Sequence, residues 1–352
     1  MTDLLFTPAK LGAIAIKNRV IMAPMTRSRA GEDEVPNDIM VEYYTQRASA
    51  GLIISEGTTP SKNGKGYCRT PGIYTSEQID GWRKINDSVA GAGGAMVLQI
   101  MHCGRVASKY NKSPDSETIA PSSIKARGQL YSDSHGMADF DEPRALLTEE
   151  ILSVINEYKT ATENAFVAGF VGVELHATSG YLPAQFLSTG SNQRTDQYGG
   201  SVDNRISFVV ETLQAMSAVN GADKVGMRIC PGNPFNDLQD DNPEETFTEL
   251  LKAIDGMGLA YLHVIRMPKG PVDNIALANK YFSGPIILND SYSSEEAESA
   301  IQENQAMAIS FGRDFVANPD LVAKLKTKSQ LAKFDLVSLY TPGAKGYTDY
   351  GV

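Results

Sequence analysis

The 352-residue sequence lacks several features that would each indicate a particular class of protein. It has only three cysteines, Cys68, Cys103 and Cys230, and their scattered positions fit neither a disulfide framework nor zinc-ligand spacing. No stretch approaches 18 uninterrupted apolar residues, so we predict no membrane-spanning helix. The first residues show no charged segment followed by a long apolar run, so we predict no signal peptide. Together these absences predict a soluble protein of a reducing compartment, the cytoplasm.

Positive charge is also in short supply. Lys and Arg number 32 against 42 Asp and Glu, which gives a net charge of −10 at pH 7. Such a surface repels phosphate backbones, so nucleic acid is not expected as a partner. The remaining composition, 42% hydrophobic and 21% charged, is that of an ordinary globular protein with a large core.

Three familiar catalytic signatures are missing as well. The sequence contains no GxSxG nucleophile motif. No cluster of His, Asp and Glu has metal-ligand spacing, so we predict no metal site. No pair of carboxylates stands out as the acid and base of a glycosidase.

What the sequence does contain is a regular alternation of apolar runs and amphipathic segments. The eight apolar runs span residues 19–25, 51–57, 95–101, 172–177, 225–230, 261–266, 285–290 and 307–312. Near-continuous apolar runs are typical of parallel strands that are buried on both faces. Capping patterns at Thr75, Asn242 and Ser293 predict where helices begin between these runs, and apolar spacing predicts a helix near 148–169.

This alternation predicts a single (β/α)₈ barrel over residues 1–352. A doubly wound open sheet is the alternative, but such a sheet normally has a glycine-rich turn after its first strand. The first run instead ends in APMTRSRA, without a glycine triplet. Residues 103–147 are too long for a plain loop after the third strand, so we predict a capping insertion over the barrel.

Polar residues follow the predicted strands, at the end of a barrel where chemistry takes place. They are Thr26, Gln99, His176, Ser179, Tyr181, Arg228, Asn289 and Arg313. Each has an ordinary structural explanation: a lone His176 is more often a packed core side chain, and Arg228 could belong to a structural ion pair. Taken together, two arginines, an amide and a hydroxyl suggest an anionic, hydrogen-bonding ligand. The ends of the seventh and eighth strands commonly bind phosphate.

Longer motifs resemble a known family nearly from end to end. They are LGAIAIKNRVIMAPMTRSR, EYYTQRASAGLIISEGT, QIMHCGR, QFLSTGSNQRTDQYGGSVDNR, FGRDFVANPDL and GAKGYTDY. On these residues the chain resembles the Old Yellow Enzyme family, the FMN-dependent ene-reductases. The resemblance implies a barrel that binds FMN tightly and non-covalently at its top.

The resemblance also implies which residues hold the cofactor. Thr26 would contact the pyrimidine edge of the flavin, Gln99 would hydrogen-bond its ring, and Arg228 would stabilise negative charge on the reduced ring. The other implied FMN contacts are Pro24, Gly57, His176, Asn289, Gly312 and Arg313, the last three near the phosphate. Gly57 stands where the family often has Ala.

The implied reaction is a two-step hydride transfer. NAD(P)H, with NADPH favoured, reduces FMN, and an α,β-unsaturated carbonyl or nitroalkene then takes the hydride. His176 and Ser179 would hold the substrate oxygen while Tyr181 protonates the α-carbon. The pocket wall would consist of Tyr67, Met101, Arg266 and Tyr340.

Two departures from the family pattern leave alternatives open. Ser179 replaces the family's second His or Asn, and Met101 replaces its usual Trp. Both put turnover and substrate scope in doubt. The alternatives are a flavin-bearing protein that binds phenols or electrophiles with weak turnover, a reductase mainly of nitro compounds, and a structural barrel without cofactor. A monomer and a homodimer are equally compatible with the sequence.

Overall fold

The computed structural model describes residues 3–31 and 33–351, and a closed barrel of eight parallel strands forms its centre. The barrel strands are β3 (Val20–Met22), β4 (Leu52–Ile54), β5 (Met96–Ile100), β10 (Gly172–His176), β11 (Val225–Ile229), β12 (Tyr261–Ile265), β13 (Ile286–Asn289) and β14 (Ala308–Phe311). Each lies within one of the eight predicted runs, and β14 pairs with β3 to close the ring. The predicted (β/α)₈ barrel is therefore confirmed, and the open-sheet alternative is wrong.

Helices lie between the barrel strands and surround them. They are α1 (Asp38–Gln46), α2 (Ser76–Gly91), α3 (Thr148–Val167), α4 (Leu182–Leu187), α5 (Val202–Asn220), α6 (Pro243–Asp255), α7 (Asn274–Tyr281), α8 (Ser294–Gln302), α9 (Arg313–Ala317) and α10 (Leu321–Thr327). The predicted caps are present: the Thr75 and Ser293 side chains form capping boxes, and the Asn242 side chain accepts from the Glu245 amide. None of the helices in these described ranges is long and apolar enough to cross a membrane.

A small hairpin closes the amino-terminal end of the barrel. Strands β1 (Ala9–Leu11) and β2 (Ile14–Ile16) pair antiparallel, and their apolar side chains pack against residues such as Leu52 and Tyr261 at the starts of barrel strands. The turn contains Gly12 with φ of +56°, where an added Cβ would lie 2.4 Å from the Asp223 carbonyl oxygen. Only glycine fits this close approach. The opposite end of the barrel is thus the end available for a ligand.

The insertion after β5 covers part of that opposite end. It is more regular than its sequence suggested, because it contains two small sheets: β6 (Ile119–Ala120) with β9 (Arg144–Ala145), and the hairpin of β7 (Gln129–Ser132) with β8 (Gly136–Asp139). Leu130 and Phe140 pack against Met101 and Tyr181 at the barrel mouth. The predicted capping position is confirmed.

Candidate active site

A cavity of about 760 Å³ opens at the carboxyl ends of the barrel strands, and we call it the mouth cavity. Eight predicted site residues line it: Pro24, Thr26, Tyr67, Gln99, Met101, His176, Tyr181 and Tyr340. They come from the ends of β3, β5 and β10, from the loop after β4, and from the C-terminal segment. The fold therefore gathers residues up to 316 positions apart in the chain, Pro24 and Tyr340, around one space.

Three of these residues form what we call the catalytic wall: His176, Tyr181 and Tyr67. The rings of His176 and Tyr181 meet edge to face with centroids 4.8 Å apart. The Tyr181 hydroxyl lies 3.1 Å from the Tyr67 hydroxyl, to which it donates. The Nδ1 atom of His176 is buried and has no hydrogen-bond partner among the described residues. A buried polar atom without a partner marks a place where a ligand can supply one.

Burial fixes the protonation states of the catalytic wall. It lowers the pKa of His176 to about 3, with nearby Arg228 adding to the effect, so the imidazole is neutral at pH 7. It raises the pKa of Tyr181 well above 10, and the neighbouring Tyr67 acts in the same direction. The wall therefore presents one neutral imidazole and two protonated phenols, since burial also raises the pKa of Tyr67 to about 12, and all three can donate a hydrogen bond without carrying charge.

Ser179 does not join this wall. Its backbone is left-handed, with φ of +58°, its side chain is not among the groups that line the mouth cavity, and its carbonyl accepts from Asn236 Nδ2 at 2.8 Å. Asn tolerates this backbone region better than Ser does. The expectation that the Ser179 hydroxyl faces substrate beside His176 is not supported by this placement.

The Met101 side chain fills the space that a side chain at position 57 would occupy. A Cβ added to Gly57 would lie 2.4 Å from the Met101 sulfur and 3.1 Å from its Cβ. Glycine at position 57 is therefore what allows Met101 its present side-chain position, 2% exposed at the cavity edge. Glycine in place of the family's frequent Ala at position 57 and Met in place of its usual Trp at position 101 are therefore physically coupled.

Below the mouth cavity, six polar side chains meet inside the barrel. This polar lumen layer consists of Gln99, Glu174, Arg228, His263, Asn289 and Ser310, all 8% exposed or less. Arg228 lies in register with His176 of the neighbouring strand and donates to His263 and to Asn289. Gln99, Arg228 and Asn289, which were predicted to contact the cofactor, are thus members of one hydrogen-bonded network.

Sequence reasoning missed Glu174, His263 and Ser310. A signal was present, since the runs GVELHA and YLHVIR each carry an ionisable residue inside an otherwise apolar strand. A strand buried on both faces has no solvent to accommodate such a group, so it must find a partner within the barrel.

The predicted phosphate residues lie at the ends of β13 and β14. Gly312 directly precedes α9, whose first residue is Arg313. The Arg313 side chain is exposed and makes no hydrogen bond or salt bridge to the part of the chain that the structure describes. A guanidinium beside a helix N-terminus suits a phosphate group chemically.

Arg266 was predicted in the pocket wall, but it is not among the residues that line the mouth cavity. Its guanidinium stacks 3.8 Å from the centroid of the Tyr292 ring and donates to the carbonyl oxygens of Asp290 and Ser291. It also pairs with Glu296 at 3.1 Å. These partners hold the side chain against the loop before α8.

The C-terminal segment contributes more of the mouth than the one residue, Tyr340, that the sequence analysis placed there. Arg27 and Arg29, both buried, donate to carbonyl oxygens of this segment: Arg27 to Gly346, and Arg29 to Ser338 and Leu339. Val337, Tyr340 and Pro342 consequently line the mouth cavity. From the loop after β11, Phe235 and Asn236 do so as well.

Comparison with known proteins agrees with this architecture. A sequence model of the NADH:flavin oxidoreductase / NADH oxidase family matches residues 4–332. The chain is 39% identical to a probable flavin mononucleotide-dependent alkene reductase of Leishmania infantum, over 99% of this chain and 97% of the relative. It is 37% identical to a putative 12-oxophytodienoate reductase of Oryza sativa, over 98% and 92%. The structure of morphinone reductase in complex with tetrahydroNAD superposes with a TM-score of 0.94 at 41% identity, covering 99% of this chain and 97% of that one.

Proposed function

The chain belongs to the NADH:flavin oxidoreductase / NADH oxidase family, and we propose that it is an FMN-dependent ene-reductase of the Old Yellow Enzyme type. It uses NAD(P)H to reduce the activated C=C bond of α,β-unsaturated carbonyls or nitroalkenes. The observation that carries this proposal is the catalytic wall, where a neutral imidazole and a protonated phenol face one cavity.

The residues at the mouth fit FMN. The Gln99 amide, which lines the cavity, and the Arg228 guanidinium, which is 8% exposed, would hydrogen-bond the polar edge of a flavin ring, and Thr26 would add a hydroxyl from the segment after β3. The exposed guanidinium of Arg313 beside Gly312, which has no hydrogen-bond or ion-pair partner within residues 3–31 and 33–351, suits the phosphate. When bound there, FMN supplies the hydride chemistry that protein side chains lack.

The catalytic wall serves the substrate in two ways. Negative charge builds up on the carbonyl or nitro oxygen as hydride reaches the β-carbon, and a fixed donor such as His176 stabilises that charge. Because His176 is neutral, it orients the oxygen without a permanent charge that would attract unreactive anions. Tyr181 keeps its proton at neutral pH and delivers it to the α-carbon.

The test is a visible spectrum followed by product analysis. Purified protein should be yellow, and with NADPH and 2-cyclohexenone under nitrogen it should form cyclohexanone, measured by gas chromatography. A yellow protein that forms no cyclohexanone and no reduced nitroalkene would contradict the proposal and favour a flavin-bearing binding protein. A colourless protein that takes up no added FMN would contradict it altogether.

Finer points stay predictions. We propose NADPH as the preferred reductant over NADH, a monomeric or homodimeric state, and a cytoplasmic location. Steady-state rates with both nicotinamides check the first, and light scattering of the eluted peak checks the second. Fractionation of the source cells checks the third.

A further inference from the structure

The interior of a (β/α)₈ barrel is ordinarily filled by branched apolar side chains. One layer of this barrel is instead ionic: Glu174 is 0% exposed, His263 is 0% exposed and Arg228 is 8% exposed. Burying charges in a protein interior opposes folding unless they are well paired, and apolar residues of similar size would often serve stability as well. The layer therefore calls for a functional explanation.

Hydrogen-bond donation in this layer runs from Arg228 through His263 to Glu174, and Gln99 donates to the same carboxylate. Glu174 accepts from Gln99 Nε2 at 2.7 Å and from His263 Nδ1 at 2.8 Å. Arg228 Nη1 lies 3.1 Å from His263 Nδ1 and, closer, 2.6 Å from His263 Nε2. Ser310 Oγ lies 2.7 Å from the same ring nitrogen.

The protonation states follow from these contacts. Burial, supported by Arg228, lowers the pKa of His263 to about 4, so the ring is neutral at pH 7. Although burial works to raise it, the pKa of Glu174 is held below its usual value by His263, Arg228 and Gln99. Hence Nδ1–H of His263 donates to a carboxylate, and its Nε2 lone pair accepts from the guanidinium.

This arrangement leaves Arg228 both restrained and neutralised. Its two terminal nitrogens are held by His263 and by Asn289 Oδ1 at 2.6 Å, and Asn289 is itself held by the Ser310 carbonyl at 2.9 Å. A guanidinium has more N–H donors than these two contacts use, and the Arg228 side chain is 8% exposed, so donors remain for a ligand. One negative charge, on Glu174, accompanies the positive charge on Arg228.

We propose that Glu174 and His263 are positioning residues that fix Arg228 where it would contact FMN and offset its charge, and so set how much more tightly the protein binds reduced than oxidised FMN. This inference rests on the proposed function, because it takes FMN as the ligand of the mouth cavity. The Glu174 carboxylate also accepts a hydrogen bond from Gln99, so the same carboxylate orients the Gln99 amide toward the flavin site.

The first test is Glu174→Gln, which keeps the shape and removes the negative charge. The unbalanced Arg228 should then favour the more negative, reduced flavin by about tenfold relative to the oxidised form, equivalent to about 30 mV for a two-electron couple. The midpoint potential of bound FMN, measured against reference dyes, should rise by that amount. An unchanged or lowered potential would overturn the charge-offset part. The matched control is Glu157→Gln. It removes a partly buried carboxylate on α3 that accepts a hydrogen bond from Ser61, and it should leave the potential unchanged.

The second test separates positioning from charge and does not depend on Glu174→Gln folding. His263→Ala removes the bridge, whereas an amide in His263→Gln can still donate to Glu174 and accept from Arg228. Loss of partners that orient a ligand-binding group costs about 10- to 100-fold in affinity at metal sites. We expect a similar loss when FMN is titrated into His263→Ala apoprotein, followed by flavin fluorescence, and recovery in His263→Gln.

Equal FMN affinity in His263→Ala and wild type would overturn the positioning role. The role would also be overturned if His263→Ala and His263→Gln lost FMN affinity equally while their melting temperatures stayed at the wild-type value. Neither result bears on enone turnover. A wild-type protein that binds FMN but reduces no enone would instead contradict the proposed function while leaving this inference testable.

Discussion

The polar lumen layer and the catalytic wall meet at β10, which carries both Glu174 and His176, yet they are built in opposite ways. In the lumen layer, Glu174, His263 and Arg228 have partners at 2.6–2.8 Å, and charges are matched. On the wall, the buried His176 Nδ1 has no partner in the described chain, and the Tyr181 hydroxyl has only Tyr67. A fully hydrogen-bonded network suits a cofactor that stays bound. Polar groups with few or no protein partners suit substrates that bind and leave.

The largest expected effect would separate the two regions most clearly. Tyr181→Phe removes the proton donor of the wall and touches nothing in the lumen layer, so enone reduction should fall by about 10²- to 10⁴-fold. Reduction of the flavin by NADPH should stay within about twofold of wild type, since no proton transfer from this phenol is involved. Anaerobic stopped-flow absorbance measures the two half-reactions separately.

Tyr67→Phe is the matched control for that experiment. It removes the hydroxyl that contacts Tyr181 but keeps the donor itself, so its loss of enone reduction should be much smaller. An equal fall of both half-reactions in Tyr181→Phe would contradict the separation of the two regions.

The second prediction sharpens the comparison by completing the wall. Ser179→Asn suits the left-handed backbone and restores the amide that the family pattern has at this position. Because loss of an oxyanion donor costs about 10²–10³ in rate, a gain of about tenfold in enone reduction is expected. Phenol binding, followed by the long-wavelength absorbance of the flavin, should tighten.

Ser179→Ala distinguishes this gain from simple replacement of serine. Since the Ser179 side chain does not line the mouth cavity, the alanine variant should match wild type. A large loss in Ser179→Ala would show that the serine hydroxyl reaches substrate after all.

These expectations show how far the sequence could lead. Short apolar runs were sufficient to predict all eight barrel strands, because parallel strands that are buried on both faces consist almost entirely of apolar residues. His176 and Tyr181 were found because their motif is contiguous. The lumen layer was not predicted, since Glu174 and His263 are 89 positions apart in the chain and come into contact only when the barrel closes. The orientation of Arg266 could not be predicted, because a residue at a strand end can face either the mouth or the neighbouring loop; in the structure its guanidinium stacks on the ring of Tyr292.

The third prediction concerns the space shared by Gly57 and Met101. Gly57→Ala places a Cβ where the Met101 sulfur lies, so Met101 must move, with consequences for the cavity edge. The KM for 2-cyclohexenone should change by about two- to tenfold, the lower part of the coupling range for residues in contact. FMN affinity should be unaffected.

Adding Met101→Ala to Gly57→Ala completes a double-mutant cycle. If the two side chains are coupled as the structure indicates, the effect of Gly57→Ala should disappear when Met101 is absent. An effect that persists in the double variant would mean that the added methyl group acts on the flavin directly.

The smallest effect on catalysis is expected from Glu56, a fully buried carboxyl that accepts from Tyr44 and the Arg27 amide. Burial raises the pKa of Glu56 to about 7, against the opposing effect of Arg27. The folded state therefore holds this proton more tightly than the unfolded state. Its stabilising contribution is complete below about pH 4.5 and is lost as pH rises toward and through 7.

Glu56→Gln should remove that dependence. Between pH 5 and pH 8 the wild type should lose about 1–3 kcal/mol of unfolding free energy relative to the variant, measured by urea unfolding. Parallel stability profiles for the two proteins would contradict a Glu56 that titrates near neutral pH.

The most direct test of the whole account follows both half-reactions in one anaerobic sample of wild-type protein. The flavin absorbance is bleached with one equivalent of NADPH, and 2-cyclohexenone is then mixed in. The account predicts prompt return of the yellow colour with one equivalent of cyclohexanone. A flavin that bleaches and stays reduced would contradict it, because the catalytic wall would then bind ligands without protonating them.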